Sequence, residues 1–135
     1  MAVFTKINSS DVKKIENIFN LGVINNIKGI KKGIENTNYF IEFNNKKFVL
    51  TIFEKRVKNK DLPFFMKLMS GLSNLGINCP KPIRTKKNSF LLNIKNKKAC
   101  LVSFLQGNDK KTLTPRDCYV LGKNIAILHQ ATKKL

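Results

Sequence analysis

A chain of 135 residues, 42% of them apolar, can bury a core but has no room for a second complete one, which excludes a full two-lobed enzyme. No apolar run is long enough to span a bilayer, and Met1-Ala2-Val3-Phe4-Thr5-Lys6 lacks the apolar block of a signal peptide, so no membrane partner and a soluble, cytoplasmic setting are expected. The formal charge of +18 invites a nucleic-acid partner, but the lysines come as short pairs in nearly every segment, from Lys13-Lys14 to Lys133-Lys134, and not as a cluster. Such a surface speeds encounters with anionic ligands and binds polyanions without selectivity, so no specific nucleic acid is expected. Cys79, Cys100 and Cys118 are odd in number and widely spaced, which fits neither a disulfide framework nor a zinc pattern. They read as reduced, partly buried thiols, with Cys100 and Cys118 on apolar periodicities as core residues.

In chain order, Ser9 or Ser10 can cap a first helix with Val12, Ile15, Ile18 and Phe19 on one face and Gly22 placed to end it. A poorly alternating strand runs from Ile24 to Lys32. Thr37 to Phe43 and Lys46 to Phe53 alternate better and are joined through Asn44-Asn45, a pair that tolerates positive φ. Asp61 then caps a second helix with Pro63 in its first turn, an apolar face of Phe65, Leu68, Met69, Leu72 and Leu75, and Gly76 as the stop. The Phe64-Phe65 pair with Met66 and Met69 reads as core packing. Pro80 and Pro82 break the chain before Ile83 to Lys86, and Ser89 to Ile94 and Ala99 to Leu105 read as further strands around a turn at Asn96-Lys97. Residues 106–112 read as a linker, and Thr114-Pro115 opens a last helix with Cys118, Leu121, Ile125, Leu128 and Thr132 on one face. That stripe needs something to pack on, which suggests further sequence.

The most informative stretch is Gly33-Ile34-Glu35-Asn36-Thr37-Asn38-Tyr39, set between the first two strands. A turn whose N–H groups approach a polyphosphate needs glycine for close approach and small polar side chains as donors, and Gly33, Asn36, Thr37 and Asn38 supply both. The same residues also make ordinary hairpin turns, so the stretch takes its meaning from the order of the segments downstream of it.

Those segments are Leu50-Thr51-Ile52-Phe53-Glu54-Lys55-Arg56, then Asp61-Leu62-Pro63-Phe64-Phe65, Cys79-Pro80-Lys81-Pro82-Ile83, Leu101-Val102-Ser103-Phe104-Leu105-Gln106-Gly107 and Leu121-Gly122-Lys123-Asn124-Ile125-Ala126-Ile127-Leu128-His129. The series closely resembles bacterial homoserine kinases of the aminoglycoside/choline phosphotransferase-like, protein-kinase-like superfamily, over essentially the whole chain. The resemblance implies an α+β fold. Residues 1–105 would form a kinase-like N-terminal lobe with an antiparallel sheet of about five strands and a packed helix. Residues 106–135 would form the inter-lobe linker and the first helix of a truncated C-lobe. It implies ATP as cofactor, with Gly33, Asn36, Thr37 and Asn38 over the phosphates and the backbone of Ser103, Phe104 and Leu105 at the adenine edge. The acceptor implied is the hydroxyl of L-homoserine, in threonine biosynthesis.

Two departures qualify the resemblance. Kinase-like folds place a lysine or arginine inside the third strand, paired with a helix glutamate, to hold the α- and β-phosphates. Here that position is Thr51, and no glutamate occurs from Asp61 to Leu75. The charge then falls to Lys55, Arg56 or another nearby cation, with alternation carrying Lys55 to the face of Thr51 if the strand runs that far. Glu54 would hold Lys55 or Arg56 locally, or stand exposed at the strand end. The second departure is the catalytic loop, with its base and the ligands of the Mg2+ expected for a complete enzyme. Its expected place lies past Leu135, so no catalytic residue and no metal ligand is assigned here, and the chain reads as a truncated kinase without turnover of its own.

The remaining candidates have plainer readings. His129 is a helix-end packing residue with no Ser, Cys or carboxylate partner at a suggestive spacing, and Asp109 and Asp117 are surface or capping acids. Three functional readings stand: a homoserine kinase lobe, a lobe of another small-alcohol kinase of the choline or aminoglycoside type, and a non-catalytic basic binding module.

Overall fold

The computed structural model describes residues 3–135. In chain order its elements are α1 (Ser9–Ile18), β1 (Ile24–Gly29), β2 (Thr37–Phe43), β3 (Lys46–Ile52), α2 (Leu62–Asn74), β4 (Leu91–Ile94), β5 (Lys97–Ser103) and α3 (Pro115–Thr132). The strands form one antiparallel sheet in the order β1-β2-β3-β5-β4.

Strict alternation in β2 and β3 decides which face is core. Tyr39, Ile41 and Phe43 of β2 and Phe48, Leu50 and Ile52 of β3 are buried, and with Leu92, Ile94, Ala99 and Leu101 they meet Ile15 and Phe19 at the end of α1. Each large apolar side chain buried here contributes roughly 1.5–3 kcal/mol. α1 starts one residue earlier than the sequence suggests. Asn8 is the cap, its Oδ1 accepting from the Asp11 N–H while the Asp11 carboxylate accepts from the Asn8 N–H. The helix stops at Ile18, short of Gly22, which at φ +90° serves the turn into β1. A Cβ there would lie 2.1 Å from Asn44 Nδ2, so any other residue would have to displace the Asn44 side chain as well as adopt a left-handed backbone.

α2 lies on the other face. Its stripe of Leu62, Met66, Met69 and Leu72 turns inward, and Met66 and Met69 pack with Cys100, Val102, Val49, Phe53, Phe90 and Leu91. Phe64 and Phe65, expected in the core, are exposed and stack edge-on against each other. Each residue advances about 100° around a helix, so a seam through Met66 leaves Phe64 and Phe65 to one side. Leu75, also expected inside, is exposed. Asp61 precedes the helix without a side-chain cap bond, whereas Gly76, at φ +82°, ends it as expected. The Ile77 N–H reaches Leu72 O and the Gly76 N–H reaches Ser73 O, the paired bonds of a Schellman stop.

The hairpin between β4 and β5 turns at Lys95-Asn96, both at positive φ, one residue before the expected pair, so Lys97 already belongs to β5. Ile83 to Lys86 forms no strand. The chain there contributes a single bridge, Pro82 to Val102, flanked by bonds from Ile83 N–H to Leu101 O and from Ser103 N–H to Lys81 O. Proline has no N–H to extend a ladder further. α3 is capped by Thr114 and Asp117 in a reciprocal box. Its expected inward stripe is largely open to solvent, with Leu121 and Ile125 exposed and only Ala131 buried. Cys118 and His129 are exposed as well, against the expectation that both pack.

Candidate functional site

The half of the sheet face that α2 leaves uncovered defines a shelf. No residue of β1 or β2 joins the α2 cluster, so the side chains of β2 on that face, Asn38, Phe40 and Glu42, stand half-open beside Lys47, Val49 and Thr51 of β3. At the end where β5 gives way to the next segment, Phe104 sets its ring edge-to-face on Phe40, 5.5 Å between centroids. Phe40 and Phe104 thus make an apolar stretch of floor, with Val49 at its border with the α2 cluster. At the other end the side chains turn polar. Thr51 Oγ1 donates to Asn38 Oδ1 at 2.8 Å, and Asn38 Nδ2 reaches Asn36 O at 3.5 Å.

Beyond that polar end rises the β1–β2 hairpin, closed by a bond from Ile30 N–H to Asn38 O at 2.8 Å. Gly33 sits at φ +137°, a conformation other residues rarely adopt, as a close-approach turn requires. Asn36 Oδ1 accepts from the Glu54 N–H at 3.3 Å. Thr37 does not join this surface with its side chain. It is fully buried on the α1 side, where its hydroxyl oxygen accepts from the N–H groups of Phe4 and Thr5 and donates to Glu54 Oε1 at 2.7 Å.

Glu54 is neither exposed nor locally paired. Its carboxylate, with a side chain 10% exposed, accepts from Thr5 Oγ1 at 2.6 Å, from Thr37 Oγ1 and from Lys97 Nζ, which also reaches Thr5 Oγ1 at 2.8 Å. Burial works to raise its pKa, but the hydrogen bonds from Lys97, Thr5 and Thr37, with the Lys97 charge, outweigh it and hold the carboxyl below its ordinary value. Lys97 lies 43 residues along the chain, beyond the reach of any local spacing argument.

The candidate cations separate. Arg56 is tied to Glu35 in the hairpin by an exposed bond of 2.7 Å. Lys55 is exposed and has no ion-pair partner among the described residues. β3 ends at Ile52, three residues before it, so the strand does not run far enough for alternation to carry Lys55 to the face of Thr51. It lines a cavity of about 420 Å³ with Phe4, Ile34, Glu35, Glu54, Arg56 and Lys97. At the opposite end, the Ser103 N–H is committed to Lys81 O, its Oγ accepts from the Lys81 N–H, and the Phe104 N–H donates to Lys47 O. Phe104 and Leu105 are exposed at the shelf's edge. Among the described residues no group of three or more His, Cys, Asp or Glu is placed to hold a metal ion. Cys100, opposite Thr51 in the β3–β5 register, is buried, and its thiol is pushed up to about 12, which makes it inert.

Alternation in β2 and β3 is the one sequence signal that points to Phe40 and Val49, because it places them on the face of Asn38 and Thr51. The Thr5, Thr37, Glu54 and Lys97 network has no such signal.

A five-stranded antiparallel sheet with a glycine hairpin, a helix inserted between its third and fourth strands, and an exit segment at the floor of the shelf is the N-terminal lobe of a kinase-like phosphotransferase. Comparison with known proteins agrees. Residues 26–135 match the Phosphotransferase enzyme family, and the chain belongs to that family. Homoserine kinases from Beijerinckia indica and Parvibaculum lavamentivorans are 40% and 37% identical to it over 131 residues, 97% of this chain and 41% of each relative. The chain therefore spans about two fifths of the length of the curated relatives it matches. A solved spectinomycin phosphotransferase, in complex with ADP and spectinomycin, superposes with a TM-score of 0.68 at 16% identity, over 88% of this chain and 36% of that one, which establishes the shared fold.

Proposed function

We propose that this chain supplies the ATP-binding lobe of a cytoplasmic homoserine kinase, an enzyme that transfers the γ-phosphoryl group of ATP to the hydroxyl of L-homoserine in threonine biosynthesis. Residues 1–105 are the nucleotide lobe, and residues 106–135 are the linker and first helix of the second lobe. The observation that carries the reading is the change along the open shelf, apolar where Phe104 meets Phe40 and polar at Asn38 and Thr51 beneath the hairpin. Lys47, next to Phe104, and Thr51 lie four extended residues apart, roughly 13 Å, which suits a purine at one end and a polyphosphate at the other.

In this reading the purine edge meets the peptide groups of Ser103 to Leu105. With the Ser103 and Phe104 N–H groups already committed, the contact falls toward Leu105. Gly33, Asn36 and Asn38 face the phosphates through backbone and side-chain donors. Thr37 contributes its backbone only. Thr51, its hydroxyl hydrogen committed to Asn38 Oδ1, holds the Asn38 amide in place where related folds use a charge, and Lys55 is the nearby cation free to supply that charge. Mg2+ would neutralise phosphate charge in the complete enzyme, with ligands outside the residues assigned here. The homoserine kinase relatives support the choice of acceptor.

Calorimetry with ADP on this chain, then homoserine-dependent ADP release in the complete protein, tests the reading. Binding weakened by Phe40→Ala and turnover that requires homoserine support it. Turnover with choline or an aminoglycoside in place of homoserine would reassign the acceptor, and nucleotide-independent, steeply salt-dependent RNA binding would replace the enzyme reading with a basic binding module.

A further inference from the structure

The β2–β3 ladder ends at the pair Thr37 and Ile52, so the hairpin rises past the point where strand pairing holds it. Besides the exposed Arg56–Glu35 pair, what holds it there is residue 54. Thr37 opens β2 and Asn36 is the last residue of the turn before it, and Glu54 grips both. Its carboxylate accepts from Thr37 Oγ1 on the α1 side, and its N–H donates to Asn36 Oδ1. Lys97 and Thr5 complete the carboxylate's partners, joining the N-terminal segment, the hairpin exit, the end of β3 and the start of β5. Buried side-chain nitrogen and oxygen atoms all find a partner among the described residues, the Thr37 hydroxyl included.

From this geometry we infer that Glu54 is the positioning residue of the hairpin, its carboxylate clamped by Lys97, Thr5 and Thr37 so that the turn from Gly33 to Asn38 stands at one height over the open shelf. The inference rests on the nucleotide-lobe reading for its functional meaning, though the clamp itself needs no ligand. The Lys97 ammonium is thereby engaged on the α1 side of the sheet and is not a phosphate group's partner. The Lys–Glu pair that kinase-like folds place beneath the hairpin has no counterpart in it: the Glu54–Lys97 pair acts on the hairpin from above.

The test compares Glu54→Ala, Glu54→Gln and Lys97→Met with the parent chain in two measurements. The first is amide hydrogen exchange at Thr5 and Ile30, whose N–H groups bond to Thr37 and Asn38, against amides in the middle of β3 and β5. The second is the affinity for ADP by calorimetry. The clamp predicts exchange at Thr5 and Ile30 accelerated about tenfold or more in Glu54→Ala, with the β3 and β5 amides unchanged and ADP affinity lowered several-fold. Glu54→Gln, which keeps the threonine bonds and loses the charge pair, falls between parent and Ala, and Lys97→Met matches it. Unchanged exchange at both amides, or acceleration shared equally by the strand amides, overturns the inference. A parent chain that binds no ADP overturns the nucleotide reading, while the exchange comparison still decides the clamp.

Discussion

Thr51 and Asn38 face each other across β2 and β3, and the threonine hydroxyl donates to the asparagine carbonyl at 2.8 Å. The bond pins the Asn38 amide at the polar end of the shelf, directly below the hairpin. Thr51→Val keeps the shape and removes the donor, so it should cost about 1 kcal/mol of stability and weaken ADP binding several-fold, while Thr51→Ser restores both. Urea unfolding and calorimetry on the three proteins check this.

Acid should unfold the chain partly through Glu54. Its folded-state pKa lies below the ordinary 4.5, so the stability it contributes is fully present above that value and is lost as pH falls through the folded-state value. Glu54→Gln should be less stable than the parent at neutral pH and should show a flatter decline below pH 4.5. Denaturant unfolding at stepped pH values measures both slopes.

Phe43 and Phe64 should respond oppositely to truncation. Phe43 is fully buried between Phe19 and Phe48, so Phe43→Ala should cost about 3–5 kcal/mol. Phe64 is 62% exposed, and Phe64→Ala should stay within about 0.5 kcal/mol of the parent. The shift in the urea midpoint separates them.

The same contrast applies to two glycines. Gly76→Ala forces a Cβ into a left-handed turn and should destabilise by about 1–2 kcal/mol. Gly122 lies inside α3 with no heavy atom within 4 Å of where its Cβ would stand, so Gly122→Ala should add up to about 1 kcal/mol to the stability of that helix. Thermal unfolding and far-UV circular dichroism report the two signs.

The elements legible in the sequence are those fixed by local rules. Alternation in Thr37 to Phe43 and Lys46 to Ile52, the Asn44-Asn45 turn and the Gly76 stop all depend on residues within a few positions of each other. The rotation of α2 is not legible, because Phe65 and Met66 satisfy helical spacing equally well. What decides between them is the sheet surface of Cys100 and Val102, which lies more than thirty positions downstream. Asn8 is hidden beside two serines, although Asp11 three residues later completes its box. At the site, the hairpin and Thr51 are visible in the sequence, whereas the partnership of Glu54 with Lys97 depends on sheet order, and local spacing favours an adjacent cation instead.

Cys118 is exposed, Cys79 half-buried and Cys100 sealed on β5 beneath the α2 methionines. The three thiols form a graded set of internal clocks. A thiol reagent should mark the α3 cysteine at once, and it can reach Cys100 only when α2 lifts from the sheet, so the lag before the last label appears times the opening of the surface next to the open shelf without any added probe.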